Sequence, residues 1–136
     1  MIAVDTNILV YAFDDAYPKK NEVCRRILMD VFGGKLRGAV TCQVLAEFAT
    51  AVTRKIERPI SKNEAFTLIE AIQASDNWTV FPYSANTVLA ALQSTNHFWD
   101  ALIAETLNEN HVSEILTENV KDFQGMGLKV KNPFKN

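Results

Sequence analysis

Met1-Ile2-Ala3-Val4-Asp5-Thr6-Asn7 carries an apolar run, two of its residues β-branched, straight into an acid, a hydroxyl and an amide. A short run that is apolar throughout predicts a strand buried on both faces, as in parallel sheets. Ile8-Leu9-Val10-Tyr11-Ala12-Phe13 follows as an apolar-periodic helix, and Asp5, Thr6 and Asn7 are each suitable N-caps for it. Open α/β sheets bind ligands outside the carboxyl ends of their strands. Asp5 therefore has two readings, as a helix cap alone or as the wall of a site. The other acids decide between them.

Outward from this start, helices and strands alternate. Asp14-Asp15-Ala16-Tyr17-Pro18 is a loop whose proline suits the first turn of a helix over 19–32, ended by Gly33-Gly34. Ala39-Val40-Thr41 is strand-like, and Gln43–Lys55 has the helical stripe Val44, Leu45, Phe48, Ala49, Val52. Ser61 with Glu64 forms a capping-box pattern opening a helix through Phe66, Leu68, Ile69 and Ile72. Trp78-Thr79-Val80-Phe81 is a strand, and Ser84 caps a helix over 85–96 that carries Val88, Leu89 and Leu92. A helix over 100–108, a strand over 112–116 and a short last strand over 128–130 complete the order. The alternation predicts one α/β domain over 1–136, with three layers, α/β/α, around a mainly parallel sheet of four to five strands.

Composition narrows the function. With 48% apolar and 22% charged residues the chain has the balance of a folded globular protein. No apolar run approaches the roughly 20 residues of a membrane span, and no secretory signal precedes the first strand. The expected location is the cytoplasm, with no membrane partner. Cys24 and Cys42 read there as reduced core thiols. A net charge of -2 argues against broad phosphate neutralisation by clustered Lys and Arg. It leaves room for a nuclease, because a bound cation supplies positive charge locally.

Three acids stand where solvent would not put them. Asp5 ends the first strand, Glu47 lies at the margin of an apolar helical face, and Asp100 sits among Phe98, Trp99, Ala101, Leu102, Ile103 and Ala104. Acids are seldom buried unless paired or bound to a metal. After the 112–116 strand, the loop Thr117-Glu118-Asn119-Val120-Lys121-Asp122 adds oxygens that reach the same sheet edge if that strand neighbours the first. Carboxylates brought together raise one another's pKa, and a hard divalent cation removes the conflict. An oxygen-only donor set suits Mg²⁺ or Mn²⁺ better than zinc.

Val4-Asp5-Thr6-Asn7-Ile8-Leu9, Val44-Leu45-Ala46-Glu47-Phe48, Asp100-Ala101-Leu102-Ile103-Ala104, Leu116–Phe123 and Asn132-Pro133-Phe134 occur in that order. This pattern resembles the PIN-domain nucleases, and within them the toxin halves of VapBC-type toxin–antitoxin pairs. The resemblance spans essentially the whole chain. It implies a PIN fold, a metal-dependent endoribonuclease acting on single-stranded or structured RNA, a cognate antitoxin covering the active site, and a homodimer. By motif, Asp5, Glu47 and Asp100 match the family's catalytic metal-binding acids, while Thr6, Asn7 and Thr117 match supporting positions. The sequence departs at the fourth acid: many relatives carry Asp two residues after the loop threonine, where Asn119 stands here. Asp122 as a further metal ligand, or the neutral amide of Asn119, then completes the set, and a neutral ligand would weaken the hold on a second metal.

Competing readings are a PIN-like module that binds RNA or protein without cutting, favoured by Asn119, and phosphoryl chemistry of another class. A phosphatase would want a second Asp two residues after Asp5, where Asn7 stands; a phosphoacceptor receiver would want an acidic pair near the first strand. Four further residue groups have a functional reading beside a plainer one. His97 is a candidate general acid or a solvated turn residue, and His111 is a weaker one. Trp99 is a base-stacking side chain or an aromatic of the core or an interface. Lys19-Lys20 and Arg25-Arg26 contact RNA phosphates or line a solvated helix face.

Overall fold

The structure is a computed structural model and describes residues 1–135; Asn136, the end of the expected domain, lies outside the described residues. β1 (Ile2–Val4) forms the middle of a five-stranded sheet. It pairs with β2 (Gly38–Thr41) on one side and with β4 (Glu114–Leu116) on the other. β3 (Trp78–Phe81) extends the sheet beyond β2, and β5 (Lys129–Lys131) beyond β4, giving the order β3-β2-β1-β4-β5 with every pairing parallel. The helices α1 (Thr6–Tyr11), α2 (Pro18–Phe32), α3 (Cys42–Arg54), α4 (Lys62–Ala74), α5 (Ala85–Leu92) and α6 (Phe98–Glu109) flank it. This is the expected three-layer α/β architecture.

The order of strands matters for function. The chain moves from β1 outward through β2 to β3, then crosses back through α5 and α6 to lay β4 on the other side of β1. Such a reversal opens a crevice at the carboxyl ends of the two strands it separates. Ala3 pairs with Ile115 and Val4 with Leu116, so the next residues, Asp5 and Thr117, emerge side by side at that crevice. Val4, Val40 and Ile115 are buried between the layers with Ile8, Leu9 and Phe48, which holds both strand ends in place.

One helix buries a different face from the one its large apolar residues predict. The 85–96 helix ends at Leu92, and Leu89 and Leu92 are 60% and 65% exposed. Its buried residues are Thr87 and Ala91, small enough for close approach to α6, and Thr87 Oγ1 donates to Glu109 Oε2 at 2.9 Å. On α4 the Ser61–Glu64 capping box forms as expected, Ile72 is buried with Ala65, Leu68 and Ile69 pack against the core, and of the expected stripe only Phe66 is exposed. Cys24 is a buried free thiol, pushed up to about 12 by desolvation. Cys42 is exposed at the start of α3, which corrects the expectation of two core thiols. Among the described residues no helix is long and apolar enough to cross a membrane.

Gly38 is required by close packing. A Cβ there would lie 2.7 Å from the Trp78 ring and 2.9 Å from Val31 Cγ1. Trp78 is itself held edge-on by Phe32, with ring centroids 5.9 Å apart, so it has little room to yield. Gly38→Ala is expected to destabilise the protein by about 1–3 kcal/mol, the usual cost of an overpacked core, read from denaturant melts.

Candidate active site

Asp5 is both things its position allowed. It is the N-cap of α1, with Oδ1 accepting from the Thr6 backbone N–H at 2.8 Å. Its Oδ2 accepts from the Thr117 hydroxyl at 2.6 Å and from Asn7 Nδ2 at 3.1 Å. Asn7 also contacts Thr117 Oγ1 and accepts from the Glu118 N–H through Oδ1, so it ties the β1 and β4 loops together. A carboxylate has about four lone-pair positions. Three bonds therefore orient Asp5 and leave it one open position for a ligand.

Glu47 reaches the same place from α3. Its Oε1 accepts from the Thr6 hydroxyl at 2.9 Å, which fixes the carboxylate over the start of α1. Gln43 lies one turn earlier on the same helical face. Its Nε2 donates to the Trp99 carbonyl at 2.9 Å, tying α3 to the first turn of α6 where Asp100 sits. Asp100 follows in that turn, with His97 Nδ1 3.5 Å from its Oδ2.

These groups share one cleft of about 410 Å³, lined by Asp5, Thr6, Asn7, Glu47, Asp100 and Asn119 together with Val10, Tyr11, Asp14, Tyr17 and Ile103. Electrostatics report the same convergence. Asp100 is pushed up to about 6, first by desolvation and then by the charges of Asp122, Asp5 and Glu47, with His97 acting against them. Asp5 is also raised, again mainly by burial; the Thr117 hydroxyl and Thr6 N–H oppose the shift, and Glu47 and Asp122 add to it. Asp122 is therefore close enough to act on both acids, although it is exposed on the 3-10 turn Val120–Phe123 outside the lining. It is the largest charge acting on Asp100, so Asp122→Asn is expected to lower the Asp100 pKa from about 6 toward the ordinary carboxylate range, read by NMR titration.

The donor set is oxygen throughout, the chemistry that Mg²⁺ and Mn²⁺ accept. Among the described residues no three His, Cys, Asp or Glu side chains stand close enough to form a ready-made cage. Mg²⁺ is commonly held by one or two carboxylates with water filling the remaining positions, so this open arrangement fits it. Neighbouring acids raise the pKa of Asp5 and Asp100, a conflict that a bound cation would relieve.

Other candidates fall elsewhere. His97 is beside Asp100 with its side chain 70% exposed. His111 takes a left-handed conformation, φ 59°, past the far end of α6. The helical rise from Asp100 to the helix end at Glu109 is already about 13.5 Å, which sets His111 far from Asp100. Trp99 is half-exposed, packs edge-on against Phe98 and is not part of the cleft lining. Lys20 bonds Glu118 and Tyr11 rather than forming a free basic face. Sequence reading missed Tyr11, Asp14, Tyr17 and Glu118. The i, i+4 relation of Asn7 and Tyr11 on α1 was the one available signal; the other three come from tertiary packing.

Fold and site together define an open parallel α/β domain with a carboxylate-lined crevice at its topological switch point. The chain belongs to the PIN-domain family, whose profile matches residues 2–125. It is 29% identical to Ribonuclease VapC24 of Mycobacterium tuberculosis over 140 residues, spanning 94% of this chain and 92% of that one. Its fold resembles M. tuberculosis VapC20, described as a sarcin–ricin loop cleaving toxin, with TM-score 0.68, 16% identity, and coverage of 95% of this chain and 97% of that one. A toxin–antitoxin complex from Klebsiella pneumoniae gives TM-score 0.68 at 16% identity with both chains fully covered. FitAcB from Neisseria gonorrhoeae gives 0.66 at 18%, covering 98% of this chain and 99% of that one.

Proposed function

We propose that residues 1–136 act as one metal-dependent endoribonuclease domain, the toxin half of a type II toxin–antitoxin pair. The observation that carries this reading is the meeting of Asp5, Glu47 and Asp100 in one cleft of a PIN-domain chain, with the Asp122 charge acting on it. The name of VapC24 as a ribonuclease and the toxin–antitoxin setting of the structural neighbours support it. Asp5 and Asp100 would hold Mg²⁺ or Mn²⁺ directly, with Glu47 and Asp122 completing the set. When bound, the ion supplies Lewis-acid polarisation of the phosphate and acidifies a coordinated water.

The chain's own groups do the positioning. Thr117, Asn7 and the Thr6 N–H hold Asp5 in one orientation, and the Thr6 hydroxyl holds Glu47 through Oε1. Glu47 Oε2 is left to orient the attacking water and take its proton. The water oxygen adds to phosphorus, the P–O3′ bond breaks in line, and the leaving oxygen takes a proton from solvent. Asn119, a neutral donor in the cleft lining, favours a second reading, a module that binds RNA without cutting it.

The partners follow from the same reading. A cognate antitoxin would cover the cleft with a basic residue facing the acids. The exposed Leu89, Leu92 and Trp99 offer apolar area for a homodimer. The deciding experiment is cleavage of a mixed RNA pool by purified protein with Mg²⁺ or Mn²⁺. Cutting that EDTA abolishes is the expected result. RNA binding without cutting at any metal concentration would replace the nuclease with the binding module.

A further inference from the structure

We propose that Tyr17 is the floor of a nucleobase subsite that selects an unpaired nucleotide next to the scissile phosphate. The inference rests on the nuclease reading for its substrate, and on separate geometry for its residue. Tyr17 lines the same cleft as Asp5, Glu47 and Asp100, yet its side chain stays half in solvent. An aromatic ring left half wet beside a carboxylate cluster keeps area that its protein neighbours, Tyr11 and Lys20, do not cover.

That ring is also held in place. Tyr11 meets it edge-on, with centroids 5.5 Å apart and planes at 79°. Tyr11 is fixed in turn by the edge of Phe134 at 5.5 Å and by its hydroxyl donating to Glu118 Oε2 at 2.7 Å. Pro18 follows Tyr17 at the first position of α2, which restrains the backbone beneath the ring. An aromatic already ordered loses little freedom when a flat ligand stacks on it.

The surrounding charge points to a base rather than a phosphate. The nearby cation, Lys20, has its ammonium 5.9 Å from the Tyr17 ring, but Glu118 pairs with it. A neutralised lysine leaves little field to capture a backbone phosphate. A π-face accepts any base, but only one that is out of a duplex. The subsite therefore selects for single-stranded or looped RNA by exposure of the base.

The test measures binding apart from cutting. A short unstructured RNA, with one abasic position walked along it, is titrated by fluorescence anisotropy with Mg²⁺ against Asp100→Asn protein, in which cleavage is suppressed. Adding Tyr17→Ala is expected to weaken binding by about 5- to 150-fold, one base's stacking energy expressed as an affinity ratio. Tyr17→Phe should restore it. One abasic position should cost a similar factor with Tyr17 present and nothing once it is alanine. A purely structural role for Tyr17 would not produce that coupling to a base.

Equal binding by the alanine variant, additive losses, or no RNA binding by the parent protein would overturn the subsite. Cleavage by wild-type protein is scored separately. Cutting without base coupling removes the subsite and keeps the nuclease; base coupling without cutting does the reverse.

Discussion

Asp5→Asn and Asp100→Asn are each expected to lower kcat/KM for RNA cleavage at least about a thousandfold, because each removes a charge that the other acids cannot replace. The two changes differ in their effect on the fold. Asp100 has His97 as its polar neighbour, so an amide fits there without stranding a donor. At Asp5, an amide NH₂ in place of Oδ2 would face Asn7 Nδ2, a donor against a donor, and one bond is lost. Asp100→Asn is therefore the cleaner test of chemistry.

It also carries a stability signature. The Asp100 carboxyl is raised from 3.8 to about 6 in the folded protein. Below about pH 3.8 the folded state holds this proton and gains from it. The gain is lost as pH rises through about 6, because burial and neighbouring acids then act on a full charge. In EDTA, wild-type protein should lose stability across that window. The Asp100→Asn protein should lack this part of the slope and melt a few degrees higher well above pH 6, a gain on the order of 1 kcal/mol. Thermal melts across pH check the sign. A variant that is folded and still active would remove Asp100 from the chemistry.

Phe48→Ala is expected to cost about 3–5 kcal/mol, through lost transfer energy and the cavity left behind. Phe48 is fully buried on α3 beside Val44 and Val52, with its ring edge-on to Phe13 at 5.6 Å. Domains are stable by only about 5–15 kcal/mol, so this is a large fraction of the total. Urea denaturation measures it. A loss below about 1 kcal/mol would show that α3 collapses onto the space without strain. Glu47 is the residue just before it, so activity retained well below the melting point would separate the packing role of Phe48 from the proposed chemistry of Glu47.

The features readable from the chain were those whose cause lies within a few residues. The strand over 2–4, the cap at Asp5, the capping box at Ser61 and Glu64, and the strand over 78–81 all depend on local periodicity or a nearby donor. The stripe on α5 departs from the structure because its large residues Leu89 and Leu92 face solvent, while on α4 Phe66 alone does so. The packing of α5 instead uses Thr87 and Ala91, whose small side chains let it approach α6 closely.

The sequence by itself determined the alternating α/β plan and the three acids that motif and burial single out. Only the tertiary structure decided that β4 lies against β1, that Thr117 bonds Asp5 across 112 positions of chain, and that Tyr11 and Tyr17 share the acids' cleft. The physical reason is one of range. Hydrogen-bond caps and hydrophobic periods are set by neighbours in the chain. The convergence of charges is set by which strands pair, and that depends on how every layer packs at once.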